Sequence, residues 1–448
     1  MEEDKAVPGG KAAAPGAAAV NSEQAATAHT SMRRDLPLMY AAQALRYLAP
    51  LILVPFYGRA LGIESYGHLL SAMALMQIVW LLVEWGLPAT GFYEVAAATS
   101  AAERGQMLGR QTAGRVLLAL VVAPAAVVAI FLTPTLKVDV IVSVLAVALG
   151  VASAFNLTWY FQGIGRLRTA AIIEVLGMAL STVLILWWVR LPTDAWIIPA
   201  VLLGVGVASS VFQFGLAMSP LPAGAIKWRA PLQAIKNSTL LFVDRGQTML
   251  LGPLCIFLLG FVAPAAAVIA FAVADRLMSV GLALLTPLNQ VFATQLARSV
   301  AQMRGGAPAR DTHLLMRKVC QYSMGLYLLI ASIGFALADH MIPLVFGPGY
   351  ESVIRVFRTL CVALLLMGSV SVLVSSVLYP FRHDRDVAVL SSVRFFASCV
   401  LVVLLGTAGA MGAAFGRLLG ATLTLAVLVI LFKRRSLWTV FTSRRAGT

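Results

Sequence analysis

The stretch LPLMYAAQALRYLAPLILVPFYGRALG, running from Leu36 to Gly62, is longer than the ~20 apolar residues a helix needs to cross a bilayer, and it holds a charge, Arg46, in its middle. An arginine at that depth costs about 2.5 to 3.5 kcal/mol on insertion scales, so its side chain is expected to face something polar inside a helix bundle. Gln43, Arg46 and Pro50 recur at helical spacing on one face, where Pro50 and Pro55 can kink the span and free backbone carbonyls. That face reads as one wall of a hydrated cavity.

The rest of the chain fits a membrane setting. It is 60% hydrophobic and 12% charged, with a mean hydropathy of +0.88, whereas charged residues make up about 25% of soluble domains. We therefore expect an all-α polytopic membrane protein. Residues 1–35, rich in Ala, Gly, Pro, Ser and Thr, are expected to form a disordered cytoplasmic tail. Twelve apolar spans follow at about 36–57, 68–91, 114–132, 138–163, 169–190, 195–218, 238–262, 264–297, 317–341, 353–380, 387–407 and 409–432, before a basic tail at 433–448.

The formal charge of +15 is carried mainly by arginines and lysines between alternate spans, among them Arg104, Arg110, Arg166, Arg168, Arg317 and Lys433. That is the positive-inside pattern, not a nucleic-acid surface, and it puts both termini in the cytoplasm. Arg46, Gly62 and Pro88 recur as Arg245, Gly260 and Pro287 at nearly constant offset, which suggests two six-helix halves, 36–218 and 238–432, around a central cavity. The basic linker 219–237 contains KWRAPLQAIK, expected as a short interfacial helix.

The charges within the spans are the candidate site. At ~1.5 Å of rise per residue, Arg46 lies near mid-depth, Arg245 about 10 Å into its span and Arg276 about 18 Å into the next. Arg394 and Arg417 add charge in the last two spans, and Arg355 and Arg358 share a face near one end of the tenth. Arg355, Arg358 and Arg394 can equally snorkel to headgroups; Arg46 and Arg276 are expected to face the cavity. The acids Glu84, Glu174, Asp244 and Asp275 are read as counter-ions, with a proton or sodium site as the alternative role. Neighbours in sequence point about 100° apart, so pairing across helices, such as Asp244 to Arg276, is expected.

Arginine suits a diphosphate because its planar fork stays charged and bonds bidentately. Tyr47, Trp80, Trp85, Trp159 and Tyr160 are expected to be interfacial belts in preference to sugar platforms. Cys255, Cys320, Cys361 and Cys399 stand singly and read as packing thiols, and none of the common catalytic, nucleotide or metal motifs is present. The chain is expected not to be an enzyme and to need no cofactor.

Four segments carry a family resemblance: PLILVPFYGRALGIESYG at Pro50 to Gly67, WYFQG at Trp159 to Gly163, Asp275-Arg276-Leu277, and FGPGY at Phe346 to Tyr350. They resemble the polysaccharide-repeat-unit flippases (Wzx-type, polysaccharide transporter family) over about Leu36 to Phe432. The resemblance implies the fold of the multidrug/oligosaccharidyl-lipid/polysaccharide exporter superfamily, with two six-helix bundles exchanging inward and outward openings. It implies a polyprenyl-diphosphate-linked oligosaccharide as substrate, a bacterial inner membrane, and other polysaccharide-assembly membrane proteins as partners. The chain departs from the family in having Gly163-Ile164-Gly165-Arg166 where Gly-x-Glu is usual, and Arg34-Asp35 in place of a Lys-Asn-type start. A cation-coupled multidrug exporter on the same fold is the second reading, and a membrane glycan polymerase or acyltransferase the third.

Overall fold

A computed structural model describes residues 52–220, 222, 231–304, 309–347, 349–381 and 383–435, and within these the backbone alone of Asp244, Arg245 and Pro287, among others. Arg46 and Gln43 lie outside the described residues. All the regular structure among the described residues is helical. Residues 52–84 form α1, interrupted by left-handed Gly62 (φ +70). Then come α2 (Leu87–Ala97), α3 (Ala101–Leu132), α4 (Pro134–Lys137), α5 (Val140–Ala154), α6 (Thr158–Gly163), α7 (Leu167–Trp188) and α8 (Ile197–Met218). The remainder is α9 (Pro231–Val262), α10 (Ala265–Arg304), α11 (Ala309–Phe346), α12 (Glu351–Leu373), α13 (Asp384–Gly406) and α14 (Ala410–Arg434).

Nine helical segments among the described residues are long and apolar enough to cross a membrane; one of them, Ile52–Ala97, is 46 residues long, enough at ~1.5 Å per residue for two crossings of a ~30 Å core. The apolar residues also face outward. Leu120, Val121, Val128, Phe131 and Leu132 on α3, and Leu176, Leu180, Val183 and Trp187 on α7, are exposed in bands that water would not tolerate and acyl chains cover. The protein is an all-α, multi-pass membrane protein.

Helix ends follow local chemistry. Ser100 Oγ accepts the Glu103 N–H while Glu103 Oε2 accepts those of Thr99 and Ser100, a capping box that starts α3 at Ala101. The third span therefore begins well before the expected residue 114: Arg104 and Arg110 lie inside a helix instead of in a connection, and Arg115, at the very start of the expected span, lies well within α3. Asp139 Oδ1 caps α5 through the Val142 N–H. In the middle of the chain, α9 runs without a break from Pro231 into the seventh span, so residues 231–237 of the linker belong to α9 and not to a separate interfacial helix. Residues 223–230 lie outside the description.

α5 packs on α3 and α8, and α7 on α8; α12 packs on α10, α11 and α14, and α13 on α14. α9 touches both groups, lying against α3 and against α13. Gly62 and Gly260 are not local equivalents: Gly62 turns the chain, whereas Gly260 sits inside α9, where a Cβ would come within 2.9 Å of Thr135 Oγ1.

A close helix pairing, of α13 with α14, uses Gly412, Gly416 and Gly420, spaced by four on α14. A Cβ at these positions would meet Leu405 O at 1.8 Å, the Leu401 carbonyl at 2.8 Å and Ser398 Oγ at 2.3 Å, so small residues let two backbones approach. Gly416→Val is expected to lower stability by about 1–3 kcal/mol, read as a fall in the unfolding midpoint in detergent, because the clash is with backbone and not with a side-chain tip.

Two of the motif segments meet. Tyr350 Oη donates to Gly58 O at 3.1 Å, the Phe346 ring covers Gly58, and Arg59 donates from Nε to Val345 O at 3.1 Å and from Nη2 to Leu344 O. PFYGRALG and FGPGY thus form one contact, tying α1 to the end of α11, with Gly347 and Gly349 left-handed in the turn.

Candidate functional site

Between these helices lies a cavity of about 800 Å³. α1 contributes Tyr57, Tyr66 and Gln77; α7 contributes Ser181 and Thr182; α9 to α14 supply the rest of its polar wall, with Tyr327 from α11 and Ser371 from α12. Its charged lining among the described residues is Asp275 and Arg276 on α10, Arg394 on α13 and Arg417 on α14: three arginines against one aspartate.

Asp275 is paired with Arg417. Oδ1 lies 3.3 Å from Nη1, and the two residues are only 6% and 4% exposed. Gly252 on α9 makes room for the carboxylate, since a Cβ there would stand 3.1 Å from Oδ2. Cys255 and Cys399 border Arg417 and complete a wall in which α9, α10, α13 and α14 converge. The expectation of a cross-helix ion pair holds, but between Asp275 and Arg417; the Asp244 side chain is not described, and Arg276 has no carboxylate partner among the described residues. Arg276 instead shares the cavity with Tyr57 and Tyr66, within electrostatic range of both. Arg394 Nη2 donates to Thr248 Oγ1 at 2.9 Å, which aims its guanidinium across α9 toward the same space.

Arg355 and Arg358 are elsewhere. The face of α12 that is buried runs through Val353, Val356, Phe357 and Leu360, which turns both arginines away from the cavity. Arg358 pairs with Asp339 on α11 at 2.6 Å, donates to Phe335 O at 3.1 Å and sits 5.2 Å over the Phe335 ring; Arg355 is exposed. The facing acid on α11 claims Arg358. Glu84 and Glu174 lie half-buried on α1 and α7, outside the cavity lining.

Trp159, Tyr160 and Phe161 are not a belt at the interface. They are 5%, 1% and 1% exposed and fill a small core against α2, where Gly91 lets the Trp159 ring approach. Trp85 stacks on Phe242 of α9 with centroids 4.0 Å apart. A residue that sequence reading left out is Arg115, fully buried on α3 beside Trp159.

The arrangement can hold a multiply charged anion. Guanidinium groups on three helices converge on one chamber, one of them kept in place by a buried carboxylate, and hydroxyls from tyrosine and threonine surround them. No group of three or more His, Cys, Asp or Glu among the described residues is set to bind a metal.

The family described as "Polysaccharide biosynthesis protein" matches residues 34–293. A protein of Shigella dysenteriae provisionally named an O-antigen transporter is 23% identical over 272 residues, covering 60% of this chain and 68% of that protein. One from Escherichia coli (strain K12), with the same provisional name, is 19% identical over 333 residues, covering 73% and 78%. Among solved structures, the inward-facing conformation of a multidrug resistance MATE family transporter of the MOP superfamily superposes with a TM-score of 0.63 at 15% identity, covering 90% of this chain and 96% of that one. That likeness is one of fold.

Proposed function

The chain belongs to the polysaccharide biosynthesis protein family, and on that premise we propose that it moves polyprenyl-diphosphate-linked oligosaccharide repeat units from the inner to the outer leaflet of the bacterial cytoplasmic membrane by alternating access. It is a polysaccharide-related transporter and not an enzyme. The observation that carries the finer reading is the sign of the cavity. Arg276, Arg394 and Arg417 face one aspartate, and the aspartate is already engaged by Arg417.

A diphosphate carries negative charge that hydrocarbon will not accept, so a carrier must replace its water shell with fixed donors. Arginine does this over two oxygens at once, and Thr248 together with the cavity tyrosines adds neutral donors for the sugar end. The lipid tail stays outside among acyl chains. In this reading 36–218 and 238–432 are the two moving halves, both termini are cytoplasmic, and the coupling ion is H+ or Na+. Other membrane proteins of surface-polysaccharide assembly receive the product. A cation-coupled drug exporter would want the opposite lining, acids to draw cations in.

Deletion of the gene is expected to make a lipid-linked oligosaccharide accumulate on the inner leaflet, measured by extracting lipid-linked glycan and testing its accessibility in sealed spheroplasts. Parent-level lipid-linked glycan in the deletion strain would overturn the reading, as would heightened sensitivity to cationic dyes with surface polysaccharide intact.

A further inference from the structure

Arg115 belongs to no part of the cavity. It lies about four turns into α3, is 0% exposed, and holds its guanidinium 5.2 Å from the Trp159 ring centroid. Its Nε, Nη1 and Nη2 all lack a hydrogen-bond partner, as do the buried Gln111 Oε1 and Trp159 Nε1 close by. A buried guanidinium in that condition is among the least favourable arrangements a fold can hold. Glu84 acts on Arg115 electrostatically yet stops short of an ion pair.

Glu84 sits at a break in the helical chain. It ends α1, and the next two residues, Trp85 (φ +44) and Gly86 (φ +69), are both left-handed. Trp85 is rarely seen in that region, so its backbone is strained. It is held there from outside. The indole lies flat on Phe242 of α9, 4.0 Å between centroids at 13°, and Nε1 donates to Thr239 Oγ1 at 3.2 Å. Gly86 abuts the Ser238 carbonyl and the Phe242 N–H, with a Cβ separation of 3.2 Å to each, and Thr90 Oγ1 hydrogen-bonds Ser238 Oγ at 2.8 Å. The break between α1 and α2 is therefore clamped onto α9 as a seam, with Glu84 at its edge.

We propose that Glu84 and Arg115 form a latch that closes when this seam opens. With Trp85 docked on Phe242, the seam is satisfied and Arg115 is not. With Trp85 released, α1 relaxes its left-handed step, Glu84 reaches Arg115, and the ion pair stabilises the parted arrangement. Each arrangement satisfies one set of groups at the expense of the other, which makes the element bistable. The proposal rests on the alternating-access reading only in requiring that the seam open.

The test uses the full chain carrying Thr90→Cys and Ser238→Cys with the native cysteines replaced by alanine or serine, in vesicles free of glycan lipid. The rate of disulfide formation with a membrane-permeant copper oxidant reports the closed seam. Trp85→Ala is expected to slow cross-linking about tenfold, and adding Glu84→Gln or Arg115→Gln is expected to return the rate most of the way, because the open arrangement loses its ion pair. Size-exclusion profiles in detergent verify that each variant is folded, and Glu84→Gln alone suffices should the arginine variant misfold. A rate in Trp85→Ala/Glu84→Gln as slow as in Trp85→Ala overturns the latch, and so does a parent-like rate in Trp85→Ala. Because no glycan is present, a negative result leaves the transported substrate to its own test.

Discussion

Replacing Arg276 by alanine is expected to cut export of surface polysaccharide by roughly 10- to 150-fold while leaving the protein folded in the membrane. The size follows from the net loss of one charge-assisted hydrogen bond to a phosphate oxygen, about 1.5–3 kcal/mol. Arg276 is suited to that role because no carboxylate among the described residues holds it, so its donors remain available to an arriving anion. Arg276→Lys keeps the charge and loses the fork, and should recover only part of the activity. Arg104→Ala, on the first turns of α3 and away from the cavity, should leave export near the parent level. Immunoblots of surface polysaccharide, normalised to the amount of membrane-inserted protein, distinguish these outcomes; parent-level polymer in Arg276→Ala would remove Arg276 from the site.

Arg417→Ala is expected to act through stability. It leaves Asp275 buried without its partner, and breaking one side of a buried pair costs about 3–5 kcal/mol, a large part of the ~5–15 kcal/mol that typically separates folded from unfolded protein. A large fall in the unfolding midpoint in detergent is the expected reading. Asp275→Asn/Arg417→Gln removes both charges from similar volumes and should restore most of the stability, yet it should not restore export, because a cavity arginine is still missing. If the single variant unfolds at the parent temperature, the pair is not what holds α10 to α14. If the double variant transports at the parent rate, Arg417 has no role toward the substrate.

How much of this was written in the chain depends on what kind of information each feature needs. Apolar runs longer than a bilayer is thick give the membrane class and most helix positions, because that constraint acts on each segment separately. The same holds for Arg276 and Arg417, whose depth alone makes them expensive outside a cavity. Which helix faces which is another matter. Asp275 finds Arg417 from a helix some 140 positions away, and Arg358 finds Asp339 on α11; no spacing rule within one helix identifies either partner. Arg115 was missed for a more local reason. Ser100-x-x-Glu103 is a readable helix start, and taking it as such moves the third span's beginning back to Ala101 and puts Arg115 deep inside. The run WYFQG shows the limit of composition, since buried aromatics and interfacial aromatics share one residue vocabulary and only the facing Gly91 tells them apart.

The central claim, that cavity arginines carry a lipid-linked diphosphate across the bilayer, is tested most directly in proteoliposomes holding the purified protein and a fluorescent polyprenyl-diphosphate oligosaccharide. A membrane-impermeant reagent that destroys only the outer-leaflet signal then follows its movement. The parent protein is expected to expose the inner-leaflet pool, Arg276→Ala to do so many-fold more slowly, and the polyprenyl monophosphate counterpart to move poorly. Equal movement of the diphosphate by parent and Arg276→Ala, or none by the parent under either a proton or a sodium gradient, would contradict it.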